Sequence, residues 1–108
     1  MIRVSGCVRT AVLCCFGTLL ASVHVAAATD DGVKELYSIY CASCHGVKSA
    51  EAPEAFNTAV WQRRLAKGAD SLLANTIQGI GNMPSQGTCF ECTKDDLRQL
   101  IQYMSNTK

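Results

Sequence analysis

The run Cys41-Ala42-Ser43-Cys44-His45 restricts this chain more than any other five residues in it. Cysteines at i and i+3 project from the same side of one helical turn, and an imidazole follows directly. C-x-x-C-H is the attachment signature of a c-type haem. Each thiol can form a thioether to one vinyl group of the porphyrin, and the histidine is then held under the iron as proximal ligand. Covalent tethering keeps the group bound in a domain too small to enclose it. Three other readings compete. A thioredoxin-like redox pair expects a βαβ setting, and no strand pattern is found along the chain. A four-cysteine zinc site would join Cys41 and Cys44 to Cys89 and Cys92, but residues 45–88, 44 in number, separate the pairs where ~15–20 is usual. The third is coincidence, which an adjacent histidine, signs of export and an all-helical pattern jointly oppose.

The signs of export lie at the start. Arg3 and Arg9 precede an apolar run from Ala11 to Leu20, and Ala26 and Ala28 form a small-residue A-x-A pair. This is the grammar of a secretory signal peptide, here residues 1–28. Ser22 and His24 interrupt the apolar stretch, which is short for a membrane span of ~20 residues. Val4-Ser5-Gly6-Cys7 resembles a lipidation box but has no apolar run before it. Cys7, Cys14 and Cys15 leave with the leader. The remaining domain, residues 29–108, holds eight Lys and Arg (10 less Arg3 and Arg9) against nine Asp and Glu, a net charge of −1. That balance lacks the basic stripe a nucleic-acid binder needs. A core from so few residues rarely yields more than ~3–5 kcal/mol, so a cofactor or disulfides are expected to supplement it.

Within that domain the periodicity is helical. Val33, Leu36, Tyr37 and Tyr40 fall at i, i+3, i+4 and i+7 on a helix that Asp30 or Asp31 can cap, starting at Gly32 or Val33. It runs into His45, and Gly46 turns the chain. Pro53 breaks a loop over residues 47–58. A short helix is expected from Trp61 to Lys67, ended by Gly68. Another, capped by Asp70 or Ser71, carries Leu73 and Ile77 on one face and stops at Gly79 and Gly81. Residues 79–92 read as an irregular loop. Thr93 can cap the last helix, whose apolar face is Leu97, Leu100, Ile101 and Met104.

The second axial position decides what the iron can do, because a six-coordinate iron exchanges electrons rather than substrates. After residue 28 the chain has one histidine, His45, and two methionines, Met83 and Met104. Met104 belongs to the apolar stripe of the last helix. Met83 sits in Asn82-Met83-Pro84, in a glycine-bordered loop with no stripe to serve, and is the expected distal ligand. A methionine–histidine pair raises the reduction potential. Cys89 and Cys92 have no histidine after them, so they are not a second haem site. A disulfide is the default for an exported pair, expected to stiffen the segment beside Met83. A redox-active dithiol is the alternative.

"LYSIYCASCHG" together with "WQRRLAKGADSLLANTIQGIGNMPSQGTCFECTKDDLRQLIQYM" resembles the cytochrome c5 family of small bacterial class I cytochromes c, over about residues 32 to 105. An NMP-type ligand loop followed by C-x-x-C before the last helix narrows the likeness to this group. The resemblance implies an all-α class I cytochrome c fold of four or so short helices around one covalently attached haem c, the first and last packed crosswise. It implies Cys41 and Cys44 as thioether links, His45 and Met83 as iron ligands, and a Cys89–Cys92 disulfide. It further implies that the Pro53 carbonyl accepts the other ring N–H of His45. Trp61 and Arg64 match the family's W-x-x-R segment and are candidate donors to a haem propionate, the alternative being a packed indole and a solvated guanidinium. Arg63 and Lys67 read as surface. The chain departs from the family pattern in having no glycine between Gly46 and Gly68. The function implied is that of a periplasmic one-electron carrier rather than an enzyme. Its donor would be a membrane quinol-oxidising complex and its acceptor a terminal oxidase or reductase. The rivals are a haem subunit of a larger oxidoreductase and a redox sensor working through the haem and Cys89/Cys92.

Overall fold

The computed structural model describes residues 29–49 and 51–106. The expected leader, residues 1–28, lies outside the described residues. Five α-helices follow one another: α1 (Asp30–Leu36), α2 (Ala42–His45), α3 (Thr58–Leu65), α4 (Ala69–Gln78) and α5 (Lys94–Ser105). A π-helical turn, Tyr37–Cys41, joins α1 to α2, and a 3₁₀ turn, Ser85–Thr88, lies between α4 and α5. Among the described residues there is no strand, only an isolated bridge between Ile80 and Met83. No helix among them is long and apolar enough to cross a membrane.

The first helix begins earlier than its periodicity suggests. Thr29, in extended backbone, takes the capping position and its Oγ1 accepts from Gly32 N at 3.3 Å. Asp30 and Asp31 therefore stand inside the first turn, near the positive end of the helix dipole, and both pair with Lys34 on the surface. The π turn after α1 is invisible to a 3.6-residue pattern. One residue more per turn sets everything after it back by about 100° relative to a straight helix, which re-aims the Cys41–His45 segment.

Helices α3 and α4 also start early. α3 opens at Thr58, with the Asn57 carbonyl accepting from Val60 N and Trp61 N at 3.2 and 3.3 Å. α4 starts directly after Gly68, so the expected caps Asp70 and Ser71 are first-turn residues instead. Gly68 has φ +95, a conformation that L side chains rarely adopt, and this lets the chain reverse between α3 and α4 without a spacer.

The core forms where α1 and α4 pack on α5. Leu97, Leu100, Ile101 and Met104 are all buried, as the stripe on α5 requires, with Val33 from α1 and Leu73 from α4. Tyr37, Phe56 and Tyr103 form a triangle of edge-on rings with centroids 5.2 to 5.8 Å apart. Each such pair adds about 0.5–1.5 kcal/mol beyond its buried area. Phe56 N also donates to the Met104 carbonyl at 2.6 Å, pinning the loop after α2 to the end of α5.

Candidate functional site

The loop over residues 51–57 closes on His45 from two directions. The imidazole Nδ1 lies 2.8 Å from the Pro53 carbonyl oxygen. Ala55 N donates to the His45 carbonyl at 2.7 Å. A carbonyl can only accept, so Nδ1 carries the proton, and in the neutral ring Nε2 keeps its lone pair. Among the described residues Nε2 makes no hydrogen bond, although the residue as a whole is buried. Ring orientation and tautomer are thus both set for ligation by Nε2, with the Pro53 carbonyl as the outer partner that fixes them. The path of this loop, glycine-free between Gly46 and Gly68, is settled by those two bonds together with the left-handed backbone of Phe56 (φ 66).

Cys41 and Cys44 are free thiols, Cys41 half-buried and Cys44 exposed. Burial, and then the neighbouring Cys44, push the Cys41 thiol up to about 11. The site therefore holds Cys41 as a neutral thiol, and an uncharged thioether suits the same desolvated place. Behind His45 stands the buried Trp61, its ring centroid 6.4 Å from the imidazole.

Trp61 does not have the contact expected of it. The single donor of its indole, Nε1–H, goes to the Glu54 carbonyl at 2.9 Å. Trp61 thereby braces the loop that holds His45 and has no donor left for a propionate. Arg64 gives Nη1 to the Val60 carbonyl at 2.8 Å, and its guanidinium has further N–H groups to offer.

Met83 lies half-buried in a tight loop that folds back on the end of α4. Ile80 and Met83 exchange backbone bonds of 3.1 and 2.9 Å, and Ser85 Oγ donates to the Ile77 carbonyl at 2.6 Å. Gly79 makes this possible. Its φ is +83, and a Cβ there would meet the Met83 oxygen at 2.8 Å and Ser85 N at 2.9 Å. Gln86, Gly87 and Thr88 follow with φ between 55 and 68, three left-handed residues in succession. Gly87 lies against the Met83 methyl, with its Cβ direction 3.6 Å from Cε. Cys89 and Cys92, both buried, are joined by a disulfide with a Cα–Cα separation of 5.4 Å.

Two features of the site escaped the sequence. Gly79 reads only as a helix stop until the loop is seen to return across it. The Tyr40 hydroxyl donates to the Glu91 carboxylate across a separation of 51 residues, and no local pattern announces such a pair.

The donor set suits one class of cofactor. With Cys89 bonded to Cys92, a four-cysteine zinc site cannot form, and among the described residues no group of three or more His, Cys, Asp and Glu is placed to hold a metal ion. What remains is one oriented imidazole directly after two free thiols on a single turn, which fits a porphyrin iron attached through sulfur.

Comparison with known proteins agrees. The family model described as cytochrome c oxidase, cbb3-type, subunit III matches residues 28–104. Cytochrome c5 of Ectopseudomonas mendocina is 41% identical over 73 residues, covering 66% of this chain and 84% of that protein. Cytochrome c5 of Azotobacter vinelandii is 43% identical over 68 residues, covering 61% and 82%. The chain belongs to the cytochrome c5 family. Among solved structures, a chain from an electron transfer complex of nitrite reductase with cytochrome c superposes with a TM-score of 0.63 at 35% identity, covering 72% of this chain and 94% of that one. This member of the c5 family accordingly has the class I cytochrome c fold and carries one covalently bound haem c. It is a monohaem electron carrier.

Proposed function

We propose that the chain works in the periplasm as a one-electron carrier, with Cys41 and Cys44 as the thioether links and His45 and Met83 as the axial ligands of the iron. The observation that carries this reading is the hydrogen bond from His45 Nδ1–H to the Pro53 carbonyl, which leaves Nε2 as the free lone pair directly after two free thiols. When bound, haem c supplies a ferric–ferrous couple that takes up and gives back one electron. The chain supplies the rest. The Cys41 and Cys44 thiols would hold the porphyrin through one thioether each. His45 is kept in one tautomer and one orientation. The Met83 sulfur, a soft neutral donor, would hold the iron, favour its ferrous state and keep small ligands off it. Arg64 is the cation available to a propionate. The leader-like pattern of Arg3, Arg9, the apolar run Ala11 to Leu20 and the Ala26/Ala28 pair supports export, and the likeness to a cytochrome seen in complex with nitrite reductase supports docking to a redox enzyme through a small, transient interface.

Absorption spectra of the oxidised and reduced holoprotein, with and without alkaline pyridine, test this directly. We expect a thioether-type haemochrome, a ferric iron–thioether band, and no change when carbon monoxide is added to the reduced protein. Immediate carbon monoxide binding would place another group, or none, in the sixth position and would favour catalysis or sensing.

The family model's own description favours a second reading, a haem subunit of an oxidase. Osmotic-shock extraction separates the two. A free carrier is released and elutes alone as a small protein, with a new N-terminus near Thr29, whereas a subunit stays with its membrane complex.

A further inference from the structure

We propose that Tyr40 and Glu91 are positioning residues that clasp the Met83 segment onto the attachment helix and so hold the distal ligand on the iron. This rests on the reading above that Met83 is that ligand. The two halves of the site lie in segments far apart in the chain, Tyr37–His45 on one side and residues 79–93 on the other. On its N-terminal side the Met83 loop is tied to α4 by the Ile80–Met83 bonds and by Ser85 to Ile77. Toward the attachment helix, one hydrogen bond crosses among the described residues, from the Tyr40 hydroxyl to Glu91 Oε1.

Both partners are presented rigidly. Tyr40 immediately precedes Cys41 and packs partly against the core. Glu91 sits in the disulfide ring, where Cys89 and Cys92 are anchored in the core while Phe90 and Glu91 point outward. The hydrogen bond holds the Glu91 carboxyl below its usual range and raises the Tyr40 phenol. A protonated phenol therefore faces an ionised carboxylate at neutral pH, a charge-assisted pair. The ring thus has a use beyond constraining the unfolded chain, since it displays the acceptor that ties the ligand loop across to Cys41.

The test is Tyr40→Phe and Glu91→Ala, singly and together, in the holoprotein. Carbon monoxide can reach ferrous iron only when Met83 lets go, so its binding rate reports the open population. Losing one solvent-exposed hydrogen bond, screened by water, raises that population about two- to threefold. Each single variant should bind carbon monoxide about that much faster, and the double variant no faster than the singles, because both remove the same contact. Phe90→Ser, in the same ring but outside the bond, should leave the rate unchanged. The clasp is overturned if the variants lower thermal stability while the binding rate stays at the wild-type value, or if the single effects add in full. Fast binding in the wild type, with no ferric iron–thioether band, would instead overturn the assignment of Met83 and the clasp with it.

Discussion

At the residue scale the site is a set of atoms left with one thing to do. His45 Nδ1 is spent on Pro53, which leaves the Nε2 lone pair uncommitted, and Met83 is the methionine outside the apolar stripe of α5. Met83→His would keep six-coordination but exchange a thioether for an imidazole. We expect the reduction potential to fall by on the order of 0.1–0.3 V, well inside the ~0.8 V span that axial ligands set. Voltammetry of the holoprotein measures this, and an unchanged potential would remove Met83 from the iron. Gly79 is as specific a position. Alanine there would need φ near +83 and would drive a methyl into the Met83 and Ser85 backbone. A strained backbone of this kind costs about 1–3 kcal/mol. In a domain of this size that lowers Tm by roughly 5–20 °C, and the displaced loop should also weaken the ferric iron–thioether band. The sequence singles out the cysteines, the histidine and the methionine because what marks them is local: spacing within one turn, or a methionine where packing asks for none. Gly79 and the Tyr40–Glu91 pair were not, because each depends on where a distant segment returns.

At the scale of the element, amphipathic stripes carried the assignment of α1 and α5, and caps carried their ends. Thr93 Oγ1 accepts from Asp96 N at 3.2 Å while Thr93 N donates to Asp96 Oδ2 at 2.8 Å, a reciprocal capping box that the sequence pattern anticipates. Thr93→Ala should cost about 1 kcal/mol, with 0.5–2 the usual range for such caps. Chemical denaturation should show a lower midpoint at unchanged slope. The spectrum should stay that of the wild type, since the cap lies beyond the ligand loop; a lost ferric band would mean that the start of α5 also positions Met83. The helix starts at Asp30, Thr58 and Ala69 were misplaced by two or three residues in the sequence reading. Competing caps stand side by side there, Thr29 before Asp30 and Asp31 and Gly68 before Asp70, and backbone conformation rather than residue type selects among them. The π turn had no signature at all, because its residues continue the apolar stripe of α1.

For the whole molecule the question is what the polypeptide can hold up by itself. The buried apolar set among the described residues is Val33, Ala55, Trp61, Leu73, Cys89, Cys92, Leu97, Leu100, Ile101 and Met104, and two of these ten are the disulfide. Such a core leaves only ~3–5 kcal/mol at best. The four-residue disulfide ring contributes on the order of 2 kcal/mol by restricting the unfolded chain. Helix α5 packs on α1 and α4 through that thin core, and among the described residues one side-chain hydrogen bond, Tyr40 to Glu91, ties the segment Tyr37–His45 to residues 79–93. A porphyrin bonded to Cys41, Cys44, His45 and Met83 would add covalent and coordinate links between those segments, and a cofactor bound only by the folded state stabilises it by mass action even before the thioethers form. Cys41→Ala with Cys44→Ala, produced in the native host, should therefore abolish covalent haem and leave a chain without a cooperative thermal transition above room temperature. Far-ultraviolet circular dichroism should show most helicity lost, whereas the wild-type holoprotein melts sharply. A haem-free variant that melted cooperatively at the holoprotein's temperature would mean that the polypeptide alone builds the fold, and that the thioethers serve only to retain the iron.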